Sequence, residues 1–346
     1  MEKSKIAIIG HFGGEENILD GQTIKTKILY EELSQNSDWD IRKVDTYYKS
    51  KAPFKLLKDT IKTIFSTKKV IILLSGNGMK FYFPLLYYAN KILGLKVYHD
   101  VIGGNLAQYV TQYPKFKKYL NSFEVNWVET NSIKESLEAV QIMNCFVIPN
   151  FKRLSISYNS KKYKREHFEF CIFSRVMREK GIEDAISAIQ SINTEAGEEI
   201  CKLDIYGKID EMYTERFNNL LNNCTEAIKY KGMVPYQKSV DVIKDYYALL
   251  FPTFWKGEGF PGTIIDAFSA GIPVIATDWN CNGEIVVNKK NGILYPNYEI
   301  KNLKQAILWC IDHQKEMILM RENCLYFAEL YQPDRYVKEI IDKIES

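Results

Sequence analysis

The sequence has no apolar run approaching the length of a membrane span, and no apolar signal core follows Met1. Its seven cysteines (145, 171, 201, 224, 281, 310 and 324) are scattered, odd in number and never spaced as C-x-x-C. Most stand in apolar runs, as buried thiols do, which argues for a reducing compartment and against a structural metal site. No D-x-D pair closes a predicted strand. The dinucleotide fingerprint G-x-G-x-x-G is missing too, because Gly10 is followed by His11 and Phe12 and the later glycines fall at the wrong offsets. Net charge is only +3, so the total does not imply a nucleic-acid partner. There is no internal repeat and no low-complexity segment. These absences lead us to expect a cytoplasmic protein, or one peripheral on the inner face of a membrane, with no metal and no resident cofactor.

What is present reads as two α/β units. A chain of 346 residues is long for one core and comfortable for two, and 46 % apolar with 26 % charged residues is ordinary for a globular enzyme. Short β-branched runs at 5–9, 70–74, 96–101, 127–129 and 145–148 alternate with helical periodicity at 23–33, 80–93 and 132–140. This is the pattern of buried parallel strands with crossover helices. A glycine-bearing loop, 11–22, joins the first strand to the first helix, with Thr23 near the helix start. Asp45 ends a second strand and leaves a nicotinamide-dinucleotide reading open as a rival. The periodicity is lost over 151–166, read as a linker between a domain at 1–150 and one at 167–330. In the second half, strands at 168–174, 201–206, 228–231, 248–251 and 273–276 carry the alternation on. Helices at 301–313, 316–330 and 334–344 end the chain.

The most specific stretch is 254–277, FWKGEGFPGTIIDAFSAGIPVIAT. A glycine-rich turn opening a helix points unpaired N–H groups and a positive dipole end outward, which suits phosphate. Two carboxylates, Glu258 and Asp266, flank that turn. Spacing alone is also satisfied by an ordinary strand-loop-helix-strand unit with solvated acids. Position by position, however, the stretch resembles the E-G-F-P-x-x-x-x-E-A-x-x-x-G-x-P-V-I-A-T signature of retaining glycosyltransferases of family four, with Asp266 where that family usually has a second glutamate. Weaker correspondences lie at Pro149-Asn150, at Arg175 with Lys180-Gly181, at Glu284-Ile285-Val286 and at Asn291 to Leu294. The family's G-x-G turn is cut short at Gly207, which Lys208 and Ile209 follow.

The resemblance implies a GT-B fold, two Rossmann-like doubly wound parallel-sheet domains facing across a cleft, with the last helix, 331–346, returning to the first domain. It implies transfer of a sugar, with retention, from a UDP- or GDP-linked donor to a saccharide or polyprenyl-linked acceptor in bacterial capsule, exopolysaccharide or O-antigen synthesis. A UDP-sugar epimerase and a catalytically silent nucleotide-sugar-binding partner are the alternatives. Arg175 and Lys180 would clamp the donor diphosphate, a fork and a mobile point charge on two oxygens, helped by the turn Glu258, Gly259, Phe260, Pro261, Gly262 and Thr263. Glu258 would contact the transferred sugar and Asp266 the ribose hydroxyls. Gly21 and Gln22 would face the phosphates, and Met233 and Val234 the base. His99, at a strand end before Gly103-Gly104, would hydrogen-bond the sugar, although a lone histidine there is as readily a core residue.

A last feature is charge. Lysines crowd 49–69, around a helical pattern with Phe54, Leu57, Ile61, Ile64 and Phe65 on one side, and again at 115–118. Such runs are commonly solvated faces. The functional reading is a surface for anionic lipid, bringing a lipid-linked acceptor to the enzyme.

Overall fold

The computed structural model describes residues 4–16, 18, 20–155, 167–296 and 299–346. It divides into two compact units. The first comprises the chain up to Phe151 with Gly257–Phe260 and Pro333–Ser346; the second comprises Lys152–Lys256 and Pro261–Gln332. Two findings differ from the sequence reading. Gly257–Phe260, expected in the second domain, groups with the first unit. The expected linker at 151–166 lies, from 156 onward, outside the described residues.

In the first unit the chain runs β1 (Lys5–Gly10), α1 (Gly21–Asn36), β2 (Asp40–Asp45), α2 (Pro53–Ser66), β3 (Lys69–Leu73), α3 (Asn77–Leu93), β4 (Lys96–Asp100), α4 (Leu106–Gln112), α5 (Lys115–Leu120), β5 (Val125–Val128), α6 (Asn131–Ala139) and β6 (Cys145–Val147). The sheet order is β2-β1-β3-β4-β5-β6, every pair parallel. β1 and β3 are the apolar runs that being covered on both faces requires, and they line up Ile8 with Ile71 and Ile9 with Ile72. One core on this sheet joins Ile72, Phe83, Leu86, Val97, Phe116 and Leu137.

The second unit holds β7 (Phe168–Phe173), α7 (Ile182–Ala196), β8 (Cys201–Tyr206), α8 (Thr214–Asn222), β9 (Ile228–Gly232), α9 (Ser239–Ile243), β10 (Ala248–Phe251), α10 (Gly262–Ser269), β11 (Val274–Thr277), α11 (Asn282–Ile285), β12 (Gly292–Tyr295), α12 (Ile300–Asp312) and α13 (Gln314–Leu330). Its sheet order is β12-β11-β10-β7-β8-β9, again all parallel. Read from the other edge, this is the 3-2-1-4-5-6 order of a doubly wound nucleotide fold. α14 (Pro333–Glu345) belongs to the first unit, where Val337, Ile340 and Ile344 are buried and the helix packs on α1.

One helix inverts its expected polarity. α2 buries Thr60, Thr63 and Ile64, while Phe54 (88 % exposed), Leu57, Ile61 and Phe65 (73 %) face out. The Thr60 hydroxyl bonds the Tyr82 hydroxyl of α3 at 3.0 Å, which satisfies two polar groups inside. On α3, Phe81, Tyr88 and Ile92 are likewise exposed at helical spacing.

Candidate functional site

Open parallel sheets bind ligands outside the carboxyl ends of their strands, where strand order reverses. In the first unit that point lies between β1 and β3. The loop after β1 closes on Asp45, whose carboxylate accepts from Phe12 N (2.9 Å), Gly14 N (2.8 Å) and Tyr47 N (2.9 Å). Asp45 therefore stabilises its own loop, and the rival reading of it as a ribose holder falls. Helix α1 starts two residues before its expected onset: Asp20, not Thr23, is the cap, accepting from Thr23 N and Thr23 Oγ1 at 2.9 Å each. Gly21 opens the helix with nothing near its α-carbon face. The Gln22 amide spans to the neighbouring strand end, donating to Leu73 O (3.1 Å) and accepting from Ser75 Oγ (2.7 Å).

His99 does not stand at an open surface. It is fully buried, Nδ1 lies 2.9 Å from Asn126 Oδ1, and the rings of Phe83 and Phe123 flank it edge-on. Burial pushes its pKa down to about 4, so it is neutral at physiological pH. Both faces of this sheet are covered, and β4 is buried from Val97 to Asp100. The structure thus holds its Nδ1 in the core, while Nε2 is buried with no partner among the described residues.

The next residue faces a different cluster. Lys25 Nζ of α1 meets Asp100 Oδ1 at 2.6 Å, Glu129 Oε1 at 2.9 Å and Val101 O at 3.2 Å. All three side chains are at most 11 % exposed. Burial would lower the lysine's pKa, but the two carboxylates together raise it above the ordinary value. Burial raises that of Asp100, against the pull of Lys25.

The second oxygen of Glu129 accepts from Phe260 N at 2.9 Å. Here the main chain of Gly257–Phe260 lies against the loop after β4, with Gly104 N 3.5 Å from Gly257 O. A β-carbon on Gly104 would stand 2.4 Å from Glu258 O, and one on Gly259 would stand 2.5 Å from Glu129 Oε2. Glycine is required at both positions. Glu258 itself is 6 % exposed.

In the second unit the order reverses between β7 and β10, and there the cations gather. Arg175 follows β7 and is exposed, with only a long 3.8 Å approach to Asp210. Lys180, 9 % exposed, sits over the rings of Trp255 (4.9 Å) and Phe251 (5.5 Å). The loops carrying them are tied: Phe254 N donates to Glu179 O at 2.8 Å, and a β-carbon on Gly181 would collide with Pro252 O at 2.1 Å.

The truncated glycine turn has an account as well. Gly207, at φ +135°, approaches Ser174 O so closely that a β-carbon would be 1.7 Å away, and Ile209 then bridges to Val176. One glycine is enough because pairing resumes immediately. Met233, 58 % exposed, and Val234 follow β9, beside the Gly207 N to Gly232 O bond.

Helix α10 begins at Gly262 behind Pro261 with no side-chain cap, and the buried Thr263 hydroxyl has no partner among the described residues. An uncapped start with an orphaned hydroxyl fits an anion. Asp266 is 3 % exposed and takes Lys152 Nζ at 2.8 Å.

Lys25, Glu129, Lys152 and Trp255 were not singled out in the sequence. The partners that define them here lie 75 to 131 positions away, and no local pattern announces them.

Comparison with known proteins agrees with this geometry. Residues 157–326 match the family described as glycosyl transferases group 1. An uncharacterised glycosyltransferase of Methanocaldococcus jannaschii is 24 % identical over 284 residues, covering 80 % of this chain and 67 % of that one. The GtfA subunit of a UDP-N-acetylglucosamine–peptide N-acetylglucosaminyltransferase of Streptococcus agalactiae is 27 % identical over 201 residues, covering 54 % of this chain and 38 % of that one. Among solved structures, sucrose-phosphate synthase of Thermosynechococcus elongatus superposes with TM-score 0.79 at 15 % identity, covering 98 % of both chains. HepE of Anabaena, solved with UDP and glucose, gives 0.77 at 13 % identity, covering 99 % of both. These likenesses place the fold as GT-B. With a glycosyl transferases group 1 domain matched at 157–326 and carried on that fold, the chain is a glycosyltransferase.

Proposed function

We propose that this glycosyltransferase moves a sugar, with retention, from a UDP- or GDP-linked donor to a saccharide acceptor carried on a lipid, as in bacterial surface-polysaccharide synthesis. The observation that carries the donor reading is the cation pair Arg175 and Lys180 at the order reversal of the second sheet, with Lys180 held against Trp255. Departure of a nucleoside diphosphate leaves about two negative charges, and fixed cations and helix N–H groups stabilise them as they form. Arg175, Lys180 and the start of α10 at Gly262 and Thr263 are assigned to that charge. Glu258 is assigned to orienting the sugar and supporting positive charge at its anomeric carbon. Met233 and Val234 are assigned to the base. The acceptor oxygen bonds to the anomeric carbon as the bond to the phosphate oxygen breaks, and the acceptor's proton passes to the departing phosphate.

The acceptor reading is supported by the outward apolar face of α2, set among Lys55, Lys58 and Lys62. An amphipathic helix of this kind lies in the plane of an anionic bilayer. No described helix is long and apolar enough to cross one.

The test is a panel of UDP- and GDP-sugars, read first as thermal stabilisation and then as product with lipid-linked acceptors. Stabilisation by one nucleotide series and a product that keeps the donor's anomeric configuration are expected. No binding by any nucleotide and no product would overturn the proposal.

A further inference from the structure

We infer that Lys25 and Glu129 are positioning residues for the main chain that bears Glu258, an inference that rests on the assignment of Glu258 to the transferred sugar. Three charged side chains are buried where β4 and β5 end: Lys25, Asp100 and Glu129, each at most 11 % exposed. Taking an ion out of water costs several kcal/mol, and a buried pair is often no more stabilising than apolar residues of the same size. Stability alone is therefore a weak reason for this cluster.

Its geometry supplies a better one. Glu129 divides its two oxygens: Oε1 takes Lys25 Nζ at 2.9 Å, and Oε2 takes Phe260 N at 2.9 Å. Lys25 is itself fixed from three sides, by Asp100 Oδ1, Val101 O and Glu129. The lysine thus sets the rotamer of Glu129, and Glu129 sets the peptide two residues beyond Glu258. On the other side, Gly104 N points at Gly257 O at 3.5 Å, and Gly103, at φ +78°, lies where a β-carbon would stand 3.2 Å from the same oxygen.

Gly257–Phe260 is therefore gripped through its backbone at both ends, and the direction of the side chain at 258 follows from that grip. A reacting group needs placement within a fraction of an ångström, and a shift of about 1 Å from a remote change can cost on the order of 10²-fold in rate. A carboxylate held on a lysine and aimed at one N–H performs that task.

The experiment compares wild type with E129A, E129Q, K25M and E258Q. Hydrogen–deuterium exchange of the ligand-free protein reads the loop directly. The expected result is exchange at 257–260 faster by about tenfold or more in E129A and K25M. E129Q, whose amide oxygen still accepts from Phe260 N, should be intermediate, with peptides of β1, β3 and β4 unchanged. With the nucleotide sugar that turns over in the donor panel, kcat should fall in the same order while the donor KM stays within about twofold.

Unchanged exchange at 257–260 in E129A overturns the inference. So does faster exchange spread evenly over the sheet in every variant, E129Q included, which would mark the cluster as general support. Wild-type turnover in E258Q, with the loop still loosened by E129A, would instead overturn the assignment of Glu258 and leave the grip on the loop standing.

Discussion

Replacing Lys152 with methionine tests how the second unit is held together. Lys152 and Asp266 lie 2.8 Å apart, with side chains 7 % and 4 % exposed. Removing one partner of a buried pair typically costs about 3–5 kcal/mol, because the other charge is left in a dry site. For a unit of this size each kcal/mol shifts the midpoint by roughly 2–4 °C, so K152M should melt about 6–20 °C lower.

The effect should also depend on pH. Burial raises the Asp266 pKa above the ordinary carboxylate value, while Lys152 and a bond from Ser239 pull it back. Without Lys152 the upward influence of burial is opposed by the Ser239 bond alone among these influences. A carboxylate whose folded pKa exceeds its unfolded one contributes stability below the unfolded value, and loses it as pH rises through the folded value. The K152M deficit should therefore be largest near neutrality and shrink as the pH falls. The double variant K152M/D266L, which removes both charges, should recover most of the loss. Calorimetry from pH 5 to 8 is the assay. A K152M midpoint within about 2 °C of wild type at pH 7, or a deficit that grows on acidification, would refute the reasoning.

Lys180→Ala should lower turnover by about 10²-fold or more, by analogy with the loss of one oxyanion donor, with circular dichroism unchanged. Gly104→Ala places a methyl group 2.4 Å from Glu258 O, so turnover should fall on the order of 10²-fold while the second unit keeps its melting point. His99, held near pKa 4 against an ordinary 6.5, costs stability when it must charge; the first unit should lose roughly 3 kcal/mol between about pH 6.5 and 4, measured by urea titration against H99N. Phe54→Ser with Phe65→Ser should abolish sedimentation with vesicles containing anionic lipid, because both rings already face solvent and their loss leaves the core intact.

Sequence alone went far with the architecture, since a parallel strand covered on both faces must be an apolar run and its crossover helix must show a 3.6-residue period. That is why β1, β3, β8 and β10 could be read directly, and why 254–277 was legible as a turn opening a helix with a strand after it. Glycines that admit another backbone, at 104, 181, 207 and 259, were visible as residues, but what approached them was not.

Tertiary structure decided the rest, because burial and pairing are properties of neighbours in space. Periodicity marked an apolar stripe on α2 and could not say that the stripe turns outward while threonines turn in. Residue 99 was visible at a strand end, but only the fold set it between Phe83 and Phe123 with Asn126 on Nδ1. Asp266 was visible as the departure from its motif, but its pairing with Lys152, 114 residues away, came only from the fold. Lys25 and Glu129, 104 positions apart and silent in any local pattern, became a unit only once α1 and β5 shared one end of a sheet.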